Sequence, residues 1–332
     1  MRLDGRDAAA VERAAGWLAA GELVAFPTET VYGLGARADD DAAVARIFAA
    51  KGRPANHPLI VHVVDADDAQ RFAARLPPVA IRLMAAFWPG PLTVIVPRRP
   101  EIAWAAAGGQ PSVGLRSPAH PVAQALLVAA RRLGVAGIAG PSANRFGRVS
   151  PTRATHVEQE FGAALAVLDG GPCTVGIESS IVDCTRERPV LLRPGVLTRA
   201  QIEAAAQEPL HDADAAAPRA PGTLATHYAP KAGVRLMAPG LIGTALQAFQ
   251  ALQTVGHEAA SLAVYSRAVP LQARPGVRQR RMPERPDAVA QELFAVLREF
   301  DDEGVQLIWI EAPPPGPEWD GVRDRLQRAA AS

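Results

Sequence analysis

Apolar runs too short to be helices recur along this chain, separated by stretches of helical period or by turns rich in glycine and proline. Leu23-Val24-Ala25-Phe26, ending at Pro27, is the first, and it reads as a buried strand. Leu59–Val64, Leu92–Val96, Val113–Leu115, Val135–Ala139, Ala164–Leu168, Ser179–Val182 and Val190–Leu192 repeat the signal. Between them, Val11, Ala14, Ala15 and Leu18 sit at helical spacing over 7–20, with Gly21 as a stop. Asp41 can cap a second helix that carries Val44, Ile47 and Phe48 and closes at Gly52. Further helical stretches cover about 67–75, 79–87 and 121–133. This alternation predicts an α/β fold. Several strands follow one another with no helix between them, so the sheet should be mixed.

Near residue 205 the composition shifts. Gln207 to Pro230 is rich in Ala, Pro, Asp and His and has no sustained period, which predicts a linker over 207–232. Order then restarts with a strand at Val234–Met237, a helix over 241–253, a strand at Leu262–Tyr265, a helix over 287–300, a strand at Val305–Ile310 and a helix over 318–330. The expected division is therefore 1–206, 207–232 and 233–332, the last a small βαβ-type domain. A length of 332 residues accommodates two domains.

The net charge of +1 gives no overall basic field of the kind that marks a nucleic-acid binder. Cys173 and Cys184 cannot build a disulfide framework and form no C-x-x-C pair. The start of the chain lacks the apolar run of a signal peptide, and no stretch reaches the length of a membrane helix, so no membrane contact and a cytoplasmic location are expected. Of 35 basic residues only Lys51 and Lys231 are lysines. A chain that has drifted so far toward arginine can keep lysine where a compact ammonium has a task of its own.

Six segments carry chemistry. Pro27-Thr28-Glu29-Thr30-Val31-Tyr32-Gly33-Leu34-Gly35 packs hydroxyls, a carboxylate and a phenol after a strand. Lys51-Gly52-Arg53-Pro54, followed by Ala55-Asn56-His57-Pro58-Leu59, pairs an ammonium with a guanidinium at a helix end, which suits polyphosphate. Ser112-Val113-Gly114-Leu115-Arg116 ends a strand with an arginine that can clamp a carboxylate. Gly140-Pro141-Ser142-Ala143-Asn144-Arg145-Phe146-Gly147, with Ser150-Pro151-Thr152, leaves a strand toward a helix start. Its hydroxyls and amides suit phosphate, though Ser150 or Thr152 can equally be a plain N-cap. Gly176-Ile177-Glu178-Ser179-Ser180-Ile181 with Arg193-Pro194-Gly195, and His227-Tyr228-Ala229-Pro230, complete the set. There is no P-loop, no G-x-G-x-x-G after the first strand, no H-E-x-x-H and no G-x-S-x-G. The residue types suit a site that binds anions and aligns reactants without a covalent nucleophile.

P-T-E-T-V-Y-G-L-G, K-G-R-P with P-L-I-V-H, G-L-R, P-S-A-N, S-P-T, E-S-S-I and L-L-R-P-G occur in the order of the threonylcarbamoyl-AMP synthase family, over about 23–196. H-Y-A-P and the small domain after it resemble the two-domain branch of that family. Pro221-Gly222-Thr223-Leu224-Ala225-Thr226 departs from it, lacking the Met-Lys-Tyr that often follows Pro-Gly.

The resemblance implies an open, twisted mixed sheet with a basic concave face, a Rossmann-like C-terminal domain, and the joining of L-threonine, bicarbonate or CO2 and ATP into threonylcarbamoyl-AMP. It places threonine near Thr30, His62, Arg116, Gly140 and Ser180, with Arg116 on the carboxylate. ATP, carrying Mg2+ with no protein ligands, falls to Lys51, Arg53, His57, Ser112, Ser142, Asn144, Ser150, Arg193 and Tyr228. Lys51 and Arg53 are expected at the cleft mouth in the catalytic role. The linker, a polar, proline-bounded segment ending in an aromatic, is expected to act as a lid over the product. Implied partners are the tRNA threonylcarbamoyl-transfer machinery downstream and a weak contact with tRNA itself. The rival readings are a double-stranded RNA or tRNA-binding module without ATP chemistry, and carbamoyl transfer in hydrogenase maturation.

Overall fold

Polar caps set where the first helices begin. The Asp7 carboxylate accepts the Ala9 amide and opens a helix at Ala8–Ala19, and Asp40 accepts the amides of Ala42 and Ala43 to open one at Asp41–Lys51. The capping residue is thus Asp40, one place before the expected Asp41, whose own carboxylate accepts the Ala105 amide. Gly52 closes the second helix in the left-handed conformation at φ 64°, as its position predicts.

The computed structural model describes residues 1–223, 227–254 and 261–331, so the atypical Leu224-Ala225-Thr226 lies outside the described residues. In chain order the first unit is β1 (Arg2–Asp4), α1 (Ala8–Ala19), β2 (Val24–Phe26), β3 (Gly33–Arg37), α2 (Asp41–Lys51), β4 (Ile60–His62), α3 (Ala66–Ala69), α4 (Pro78–Phe87), β5 (Leu92–Pro97), β6 (Ser112–Arg116), α5 (Pro121–Arg132), β7 (Ile138–Ala139), α6 (Ala154–Phe161), β8 (Ala166–Asp169), β9 (Ser180–Asp183), β10 (Val190–Arg193), α7 (Arg199–Ala206) and β11 (His211–Asp212). These strands form one 11-stranded sheet in the order β1-β8-β2-β3-β7-β4-β6-β5-β9-β10-β11. The sheet is mixed: β4 runs parallel to β6, while β3, β7 and β5 enter antiparallel. One face is covered by α1 and α5 over Leu18, Phe26 and Leu126, and a second core holds Tyr32, Ile47, Phe48 and Leu83.

Several elements differ from the expectation. β3 falls where the sequence predicts a loop, because its glycines leave room for the Phe26 ring: a Cβ on Gly33 would come within 3.0 Å of it. The helix read at 67–75 stops at Ala69, since the backbone at Phe72 and Ala74 bonds instead with Arg99 and Pro97 beside β5. α7 opens with a capping box between Thr198 and Gln201. The 207–232 segment is not structureless throughout, as β11 pairs with β10 and Arg219 exchanges bonds with Gln110.

The second unit holds β12 (Gly233–Met237), α8 (Pro239–Thr254), β13 (Leu262–Ser266), β14 (Val277–Arg281), α9 (Pro286–Asp302), β15 (Leu307–Glu311), a 3-10 turn at Pro317–Trp319 and α10 (Asp320–Ala330). Its sheet, β12-β15-β13-β14, is wholly parallel, a small Rossmann-like arrangement. β14 escaped sequence reading because Val277-Arg278-Gln279-Arg280-Arg281 is a polar edge strand. α9 and α10 pack their apolar faces with Tyr228, Ile177 and Val149 of the first part of the chain in one shared core.

Candidate active site

The turn from β2 to β3 is folded by its own hydroxyl. Thr28 Oγ1 donates to the Val31 carbonyl at 2.6 Å and accepts the Val31 amide at 3.1 Å. Thr30 is thereby presented to Arg116 at the end of β6, whose Nη1 donates to Thr30 Oγ1 at 2.9 Å and whose Nη2 donates to Glu29 Oε1 at 2.6 Å. Glu29 Oε2 accepts the Ala119 amide. Arg116 still lines the cavity beyond this turn.

His62, one strand away, is fully enclosed. Burial first and Arg116 second push its pKa down to about 3, so the ring is neutral near pH 7. Its Nδ1 lies 3.3 Å from the Ile138 carbonyl, which can only accept, so the proton belongs on Nδ1 and Nε2 is left as an acceptor. Gly140 permits the close approach, since a Cβ there would lie 3.1 Å from His62 Nδ1.

Lys51 and Arg53 divide their roles. Lys51 is 2% exposed, and its ammonium donates to the carbonyls of Ser142 (2.6 Å) and Asn144. It therefore sits behind the 141–146 loop and not at the cleft mouth, because that loop offers the carbonyl cradle an ammonium fits. Burial, then Arg53, lowers its pKa. Arg53 lines the cavity, with Nη2 on the Pro58 carbonyl at 3.0 Å and a pKa lowered by burial to about 10. Asn144 is turned inward onto the Arg145 and Arg148 carbonyls, and His57 packs edge-on against Phe146.

The opposite wall comes from β9 and β10. Arg193 grips Ser179 through its carbonyl (3.0 Å) and hydroxyl (3.2 Å) and reaches the Pro221 carbonyl at 2.9 Å. Ser150 does not cap a helix; its hydroxyl donates to Glu178, while α6 starts after Arg153 with no side-chain cap. Burial would raise the Glu178 pKa, but Arg325 and Arg193 outweigh it and hold the carboxyl below its usual range. Ser112 lines an adjoining crevice with Ile60 and Pro221. The 207–232 segment closes the top. Tyr228, at φ 61°, stacks on Phe294 at 5.3 Å and meets His227 edge-on at 4.1 Å. Burial raises the Tyr228 pKa to about 12 and lowers that of His227 to about 3.

Thus Thr30, Arg53, His62, Arg116, Gly140, Ser142, Arg193 and Tyr228 surround one cavity, while Lys51, His57, Ser112, Asn144, Ser150 and Ser180 stand behind or beside it. Thr28, Glu178 and Ser179 also line it; they lie inside the quoted motifs but carried no separate signal. Arg53 Nε, Ser180 Oγ, His227 Nδ1 and Tyr228 OH are buried without a partner among the described residues. Buried polar atoms are rarely orphaned, and those of Arg53, His227 and Tyr228 around one cavity mark a place for a polar ligand. The cavity measures only about 40 Å³, room for little more than water. Among the described residues no group of three His, Cys, Asp or Glu side chains is placed to hold an ion.

The profile of the family described as Telomere recombination, named for Sua5, YciO and YrdC, matches residues 17–195. That described as Threonylcarbamoyl-AMP synthase, C-terminal domain, matches residues 197–331. The chain belongs to the threonylcarbamoyl-AMP synthase family. A threonylcarbamoyl-AMP synthase of Bacillus subtilis (strain 168) is 37% identical over 329 residues, covering 96% of this chain and 92% of that protein. One from Pyrococcus abyssi is 45% identical over 229 residues, 67% of this chain and 66% of that one. The structure of P. abyssi Sua5 complexed with L-threonine superposes with a TM-score of 0.87 at 34% identity, over 98% of this chain and 95% of that one. A histidine-and-tyrosine double alanine variant of the same protein gives 0.89 at 33% identity, over 99% and 96%. Both family profiles are therefore present in one chain, in the order of the two sheets.

Proposed function

We infer that this protein is an L-threonylcarbamoyladenylate synthase, making threonylcarbamoyl-AMP and pyrophosphate from L-threonine, bicarbonate or CO2, and ATP. The observation that carries this reading is the cavity lined by Arg53, Arg116 and Arg193 and by orphaned polar atoms of Arg53, His227 and Tyr228, in a family whose P. abyssi member is described in complex with L-threonine. An RNA-binding module needs its cations on an open face; these arginines are 8%, 3% and 2% exposed.

In the proposed reaction threonine lies along Thr30, His62 and Gly140, with Ser180 behind them, its carboxylate toward Arg116. Neutral His62 offers Nε2 to the amine, which attacks CO2 and loses a proton, or attacks bicarbonate and expels water, to give a carbamate. A carbamate oxygen then attacks the α-phosphorus of ATP, the bond to the β-phosphate oxygen breaks, and pyrophosphate leaves. Arg53 and Arg193 offset the charge that develops on the phosphates, and Ser142 and Tyr228 border them. Mg2+ would arrive on the nucleotide and offset further phosphate charge. Lys51 supports the loop beneath.

We assign 1–206 as the catalytic domain, 207–232 as a linker that closes over the reactants, and 233–332 as the C-terminal domain. A pocket for a ligand of this size is roughly 300–1,000 Å³. Entry of ATP therefore requires Pro221, Gly222, His227 and Tyr228, which line the cavity, to move aside. The adenylate would pass in the cytoplasm to the machinery that transfers threonylcarbamoyl to tRNA. Pyrophosphate release by the purified protein, measured with and without L-threonine and bicarbonate, tests the reading. Release that needs both is expected; release needing neither, or none, overturns it.

A further inference from the structure

The last helix of the second unit reaches the active site. Arg325 on α10 is 1% exposed. Its Nε donates to Glu178 Oε2 at 2.8 Å, its Nη2 to the Glu178 carbonyl at 3.2 Å, and its Nη1 to the Pro194 carbonyl at 3.0 Å. Asp324 takes a further Nη1 bond at 2.6 Å and orients the fork from behind. The guanidinium lies 5.3 Å from the centre of the Tyr228 ring. One turn earlier, Gly321 lies flat on the turn after Arg193: a Cβ there would come within 2.2 Å of the Gly195 carbonyl.

Each contact abuts a wall of the cavity. Glu178 precedes Ser179, which Arg193 grips, and Pro194 follows Arg193. A buried carboxylate without a cation is strongly destabilising. The groups facing Glu178 are Arg325 from α10, Arg193 from β10, Ser150, and the neutral His227 and Tyr228 of the 207–232 segment. Arg193 also serves Ser179 and Pro221, so Arg325 is the cation bonded to the Glu178 carboxylate itself. A point charge could not reach a carboxylate, two carbonyls and a ring face together; a guanidinium fork does.

We propose that Arg325 is a positioning residue for the synthase reaction, holding Glu178, the Arg193 turn and Tyr228 in one rigid corner from the second unit. This rests on the synthase reading above. Arg325→Lys keeps the charge and loses the fork, and kcat for threonine-dependent pyrophosphate release should fall roughly 10- to 100-fold, with KM values little changed. Arg325→Gln also removes the charge, and the acid limb of its kcat profile should move up by about one pH unit or more as Glu178 becomes easier to protonate. A role confined to stability would move neither kcat at saturation nor the pH limb. Hydrogen exchange in the full-length chain needs no activity: peptides over 176–181 and 227–230 should exchange faster in Arg325→Lys, while β13 stays protected. Wild-type kcat, an unshifted limb, or unchanged exchange in those peptides overturns the proposal. If Arg325→Gln fails to fold, Arg325→Lys decides. An inactive wild type would sink the synthase reading alone, and the exchange comparison would still judge Arg325.

Discussion

Arg116 and Glu29 form a buried ion pair, Nη2 to Oε1 at 2.6 Å, with their side chains only 4% and 8% exposed. The arginine expected to grip a substrate carboxylate thus already holds a protein carboxylate. Arg116→Ala would leave Glu29 buried without a cation, at about 3–5 kcal/mol of stability. Melting curves should show that loss before any threonine titration is interpreted. Arg116→Lys keeps a charge near Glu29, and it should raise the threonine KM by about tenfold or more through the lost fork. An unchanged threonine KM would remove Arg116 from the substrate site.

Lys51 and Arg53 should part company on substitution. Lys51→Ala strands the Ser142 and Asn144 carbonyls and should destabilise by about 1–3 kcal/mol, with ATP use falling only as the 141–146 loop loosens. Arg53→Ala removes a cation that lines the cavity, so turnover should fall far more than the melting temperature does. The reverse pattern, in thermal melts and pyrophosphate assays run side by side, would exchange their roles.

The histidines make the fold sensitive to acid. His62, His156 and His227 each have a native pKa near 3, chiefly through burial, against about 6.5 in the unfolded chain. Between those values the unfolded state binds more protons, so stability falls as pH drops from about 6.5 toward 3. Each histidine contributes up to about 1.4 kcal/mol per pH unit. His156 lies outside the cavity, with Nδ1 accepting the Thr152 amide. His156→Gln should therefore flatten the acid side of a stability–pH curve without moving substrate KM values. An equally steep curve would refute the assignment.

Gly222 stands where the linker meets the site, at φ 73°. A Cβ there would come within 2.3 Å of Tyr228 OH and 2.7 Å of Arg193 Nη1. If the linker closes over the reaction as proposed, Gly222→Ala should lower kcat at least about tenfold, because the added methyl meets Tyr228 and Arg193 in the closed site. Unaltered kcat would argue that the linker does not close over the reaction.

What could be read from sequence follows the range of the physics involved. α1, α2, α5 and most core strands were legible because caps and apolar period are local. β3 was not, because Gly33 and Gly35 make sense only once the Phe26 ring lies over them. The scarcity of lysine did single out Lys51, and its cradle of two carbonyls explains why an ammonium is kept there, although the task is support. Arg325 had no signal of its own: Arg323, Arg325 and Arg328 share one amphipathic helix, and only tertiary packing selects the one that reaches Glu178.

The span between Arg325 and Glu178 also has a meaning in time. The two lie 147 residues apart in the chain. At a synthesis rate of about 5–20 residues per second, a growing chain carries Glu178 for roughly 7–30 s before its cation emerges. The large sheet can be assembled in that interval, but the corner that aligns Ser179 and Arg193 cannot. A partly made chain still on the ribosome would therefore hold Glu178 without its Arg325 partner until the last helix is out.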